Sequence, residues 1–113
     1  MATSSMYSGD SVSIAVTVTD STTGAAVNLT GATLTWALAT APGATALLTK
    51  SSTDGDITVS GASSNIATVA LEPADTAILG GVYTHELQGV DGAGAVYTMY
   101  QGELYIMADV VTT

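Results

Sequence analysis

A chain of 113 residues is the length of one ordinary domain and can bury a core of its own; with no cysteine it has neither disulfide staples nor thiolate chemistry. One lysine (Lys50), no arginine and ten carboxylates leave a formal net charge of −9. Binding to phosphate backbones and to anionic membranes depends on clustered basic side chains, so nucleic acid and membrane are excluded as partners, whereas a basic protein surface is not.

The first ten residues, "MATSSMYSGD", have neither the basic start nor the apolar run of a secretory signal. No apolar stretch approaches the ~20 residues of a spanning helix. Residues 1–10 are expected to form a polar amino-terminal arm, and residues 11–113 one β-sandwich domain. "SVSIAVTVT" alternates strictly, with Val12, Ile14, Val16 and Val18 on one face, the pattern of a half-buried strand. "DSTTGA" turns the chain at Asp20–Gly24. In "VNLTGATLTW" a corner is expected: Val27 and Leu29 tuck under the sandwich, Gly31 permits the turn, and Leu34 and Trp36 begin the next core strand. The Asn28-Leu29-Thr30 glycosylation triplet is read as a chance match.

"ATLTWALA" places Leu34, Trp36 and Leu38 on one face. "ALLTKS" and "DITVS" flank the turn "STDGD", and "NIATVAL" points Ala67, Val69 and Leu71 inward. "EPADTAILGG" predicts a short helical turn over Pro73–Leu79, with Pro73 at its first position and Gly80-Gly81 beyond its end. "GVYTHELQGV" and "AVYTMYQGELYIM" form a final hairpin around "DGAG". About seven short strands and one helical turn predict an all-β fold, a single antiparallel β-sandwich.

No residue cluster announces a reaction. His85, the single histidine, lies between Tyr83 and Leu87 on an inward face, and no second histidine exists to complete a site. No G-x-S-x-G elbow accompanies the serines. The Asp54-Gly55-Asp56 pair of carboxylates reads as a turn, because "ITVSG" after it supplies no further ligand for a cation. The expectation is a protein that is not an enzyme, with no catalytic residues, no metal and no cofactor.

Four segments together carry a resemblance: the Gly9-Asp10 pair before the alternating strand, "VNLTGAT" at Val27–Thr33, "LEPADTAILGGVYTHEL" at Leu71–Leu87, and "GELYI" at Gly102–Ile106. The chain resembles the small immunoglobulin-like domains of tailed-phage structural proteins, the group that includes the amino-terminal domain of baseplate upper proteins. The resemblance spans Gly9 to Ile106 and implies an immunoglobulin-like sandwich. It also implies a virion location, with the protein made in the host cytoplasm without a signal peptide. Baseplate proteins continue into further domains; a chain ending at Thr113 fits an accessory virion protein better.

If Leu104 and Ile106 face the core, strict alternation puts Tyr97, Met99, Tyr105 and Met107 on the opposite face, where the arm folds over them or a partner covers them. Tyrosine and methionine are enriched where proteins meet. Met6 and Tyr7 in the arm, with Val110 and Val111 near the other end, complete the candidate interface. The leading expectation is a capsid decoration or cement subunit. Its partners would be other phage virion proteins (the major capsid protein or tail proteins), and possibly itself. The alternative is a tail or adhesin-like module that contacts the host surface or a glycan, with Tyr83, Tyr97, Tyr100 and Tyr105 as aromatic platforms.

Overall fold

The computed structural model describes residues 2–20, 22–77 and 79–108, and in it the alternating segments become strands of two facing sheets. Among the described residues these are β1 (Ala2–Tyr7), β2 (Val12–Thr17), β3 (Thr33–Ala39), β4 (Leu48–Ser51), β5 (Ile57–Ser60), β6 (Ile66–Leu71), β7 (Gly81–Val90) and β8 (Val96–Met107), with one short helix, α1 (Pro73–Thr76). The larger sheet has the order β1-β8-β7-β3-β4 and the smaller β2-β6-β5. All pairings are antiparallel except that of β1 with β8. With β3, β7 and β8 in the places of strands C, F and G, and β2, β6 and β5 in those of B, E and D, this is an immunoglobulin-type arrangement.

Alternation decides which side chains fill the space between the sheets. Leu34, Trp36 and Leu38 of β3 face Ala67, Val69 and Leu71 of β6, and all six are buried. Each large aliphatic group removed from water in this way contributes about 1.5–3 kcal/mol. The "VNLTGATLTW" segment is the expected corner. Leu29 is buried and its N–H donates to the Ser64 carbonyl at 2.8 Å. The Asn28 side chain accepts the Thr30 N–H at 2.9 Å, and Gly31 takes φ +82°, which a side chain would resist.

α1 is shorter than expected, ending at Thr76 rather than Leu79. The Asp75 carboxylate accepts the Glu72 N–H at 2.7 Å and meets the Lys50 ammonium of β4 at 2.9 Å, which ties the crossing turn to the larger sheet. Burial works to raise the Asp75 carboxyl, but the Glu72 N–H and the Lys50 ammonium hold it below its ordinary value. The same hydrogen bond raises Lys50. Beyond the helix, the Tyr83 hydroxyl donates to the Gly80 carbonyl at 2.9 Å and accepts the Gly80 N–H at 3.1 Å. A tyrosine at the start of strand F that bonds back to the preceding corner is the tyrosine corner of immunoglobulin domains.

The segment expected as a polar amino-terminal arm is instead a strand of the larger sheet. β1 lies parallel beside β8, with Met6 in register with Ile106 and Tyr7 with Met107. The chain then crosses to the smaller sheet at Gly9, whose N–H donates to the buried Thr76 hydroxyl at 3.0 Å. No helix among the described residues is long and apolar enough to cross a membrane.

Candidate functional site

β8 does not alternate along its whole length. Leu87 is in register with Tyr100, but Gln88 is in register with Thr98, so Met99 is an extra residue in a β-bulge. The bulge reverses the parity of everything before it. Gly102, Leu104 and Ile106 point inward, which leaves Tyr105 and Met107 outward as expected. Met99, by contrast, packs on the core over Gly89, where an added Cβ would collide with the Met99 Cε. Tyr97 is in register with that same inward-facing Gly89, and is exposed near the hairpin end. Met99 and Tyr97 therefore do not join Tyr105 on one face. Met6 also leaves the interface set: its side chain is 5% exposed and belongs to the core. Val110 and Val111 lie outside the described residues.

What the fold does bring together is Tyr7, Val82, Tyr105 and Met107. Tyr7 pairs with Met107 across β1 and β8, and Val82 with Tyr105 across β7 and β8. Tyr7, Val82 and Tyr105 are 51%, 56% and 46% exposed, well beyond the burial of a core side chain. Val82 was not singled out from the sequence. Its signal was its place one residue before the inward-facing Tyr83, but only the register shows that it adjoins Tyr105.

The patch continues across the same outer face. Thr84 is opposite both Glu103 and Ala39, and Glu86 is opposite both Gln101 and Ala37. Gln101 Nε2 donates to Glu86 Oε1 at 3.0 Å. The 41–46 loop rises beside this row and closes an open groove of about 110 Å³ over Ala37, Ala39, Thr84, Glu86 and Gln101. Pro42 and Gly43 form the tip, with Gly43 at φ +83° and the Ala44 N–H donating to the Ala41 carbonyl at 3.1 Å, as a type II turn requires.

His85 stands apart from this face. It is 1% exposed, its Nδ1 accepts the Trp36 indole N–H at 3.1 Å, and the Tyr100 ring meets it edge-on at 5.2 Å. It lies two residues beyond the tyrosine corner, where antibody domains carry the second cysteine of their inter-sheet disulfide. Burial lowers its pKa, and its Nε2 has no hydrogen-bond partner. The Asp54–Asp56 segment is a turn, with Gly55 at φ +80° and the Asp56 N–H donating to Ser51. Among the described residues no three His, Asp or Glu side chains converge as metal ligands. The four tyrosines weighed as a glycan platform do not share a surface. The Tyr83 hydroxyl is bound to Gly80, Tyr83 and Tyr100 pack on the core, Tyr97 lies at the hairpin end, and Tyr105 is on the outer face.

No family model matches the chain, and no curated protein is significantly similar to it.

Proposed function

We propose that the protein is a non-enzymatic structural subunit of a tailed-phage virion, a decoration or cement protein that docks on the capsid or on other shell proteins. The observation that carries this reading is the outer-face patch of Tyr7, Val82, Tyr105 and Met107 on a sheet whose other side is the core. Contiguous exposed apolar groups on a rigid sheet are a docking surface rather than a reaction site. The one imidazole is sealed in the core with its Nδ1 taken by Trp36, which argues against acid–base catalysis. The resemblance of four segments to phage immunoglobulin-like domains supplies the setting. The acidic surface suits a basic partner and keeps the free protein soluble before assembly.

The test is co-sedimentation of purified protein with tailless heads of the phage that encodes it, taken from particles lacking it. Saturable binding is expected, weakened at least about tenfold when Tyr105 and Met107 are both changed to Ser, the loss of two interface anchors. Tyr97→Ser should bind like the parent protein. Binding to isolated tails or host cells in place of heads would transfer the protein to the tail or adhesin class.

A further inference from the structure

The groove beside the apolar patch has a composition that selects its occupant. Its floor is made of the small side chains Ala37, Ala39 and Thr84, its wall is the 41–46 loop, and its one charged group is Glu86. Gln101 occupies one oxygen of that carboxylate and fixes its orientation, leaving the other for an incoming donor. Glu103, opposite Thr84 on the neighbouring strand, adds a second negative charge to the same face. A methyl-lined channel leading to an oriented carboxylate matches a long side chain with an apolar stem and a cationic head.

The protein has no such side chain to spare. It has no arginine, and Lys50, half-buried at the sandwich edge, is held by Asp75 at 2.9 Å. A second copy would bring another ten carboxylates to the face, and like charges across an interface are repulsive. We propose that the groove receives one lysine or arginine side chain of the partner protein that covers the outer face, with Glu86 as its counter-ion. This rests on the outer face being the docking surface, and it sets the partner's chemistry: apolar groups opposite Tyr105 and Met107, and one basic residue beside them.

The experiment titrates the ¹⁵N-labelled protein with three blocked pentapeptides of glycine carrying a central lysine, arginine or norleucine. The lysine and arginine peptides should shift the amides of Ala37, Ala39, Thr84, Glu86 and Gln101, and the uncharged norleucine peptide should not. Glu86→Gln, which keeps a side chain that hydrogen-bonds Gln101, should weaken the response about fivefold, the scale of one solvent-accessible ion pair. Shifts spread evenly over Asp10, Asp20, Asp54 and Asp91 and indifferent to Glu86→Gln, or no shifts at all, would overturn the proposal. Head binding that needs Tyr105 and Met107 but not Glu86 refutes the groove alone. A groove response without head binding supports the groove and refutes the capsid role alone.

Discussion

His85 shows how much one residue's protonation state depends on its surroundings. Its Nδ1 accepts a hydrogen bond from Trp36, so the neutral ring carries its proton on Nε2, which has no partner. Protonation would place a second N–H against the indole N–H. Burial accordingly lowers the pKa below the ordinary 6.5, with no charged neighbour acting on it. The unfolded chain binds this proton more readily than the folded one, so the contribution to stability is complete above about pH 6.5 and is lost as pH falls below that value. Urea unfolding should show a decline from pH 7 to pH 5 of at most about 1.4 kcal/mol per pH unit, the limit for one proton. His85→Phe should flatten that window; equal slopes would locate the titration elsewhere. Asp75 is distinguishable because its carboxyl is lowered, so its contribution is lost only as pH falls below about 3.8. The inward position of His85 was legible from alternation with Tyr83 and Leu87. Its bond to Trp36 was not, because that depends on how β3 and β7 are offset, with Leu38 rather than Trp36 opposite His85.

At the scale of the strand, β8 divides into two registers. Its second half was legible: Leu104 and Ile106 inward, Tyr105 and Met107 outward. Its first half was not, because a bulge adds one residue without any mark in the apolar pattern "AVYTMY". The signal that could have placed it is Gly89, an inward position with no side chain that leaves room for Met99. β1 was missed for a different reason. "ATSSMY" has its two large apolar groups, Met6 and Tyr7, side by side rather than alternating, and its strand state comes from pairing with β8. These placements predict opposite outcomes within one set of residues. Met6→Ser and Met99→Ser should each lower unfolding stability, Met6 by about 2–4 kcal/mol and Met99 by about 1–2 kcal/mol, through lost packing. Tyr105→Ser and Met107→Ser should stay within about 0.5 kcal/mol of the parent protein while losing partner binding. Denaturant midpoints measured beside the sedimentation assay decide this, and a destabilised Tyr105→Ser would place that ring in the core.

For the molecule as a whole, charge sets the behaviour. Ten carboxylates face one lysine, and that lysine is committed to Asp75. Self-repulsion of this kind is screened by salt, so melting temperature should rise from low ionic strength to about 0.15 M. Attraction to a basic partner is screened by the same ions, so head binding should weaken over the same range. A melting temperature that falls with added salt would mean that attractive pairs outweigh the repulsion. This charge balance was fully legible in the sequence. Where it acts was not: the row of Glu86, Gln101, Glu103 and Thr84 exists only because β7 and β8 align those positions, and the Pro42-Gly43 turn walls it.

The Lys50–Asp75 pair also makes the chain its own unfolding reporter. Trypsin cuts only after lysine or arginine, and here the sole target is Lys50, in the middle of β4, backbone-paired to Trp36 and with its side chain 12% exposed. A protease cannot thread a paired strand into its cleft, so digestion must wait for β4 to leave the sheet. A single cleavage, giving two fragments, would then time that opening directly without any engineered label.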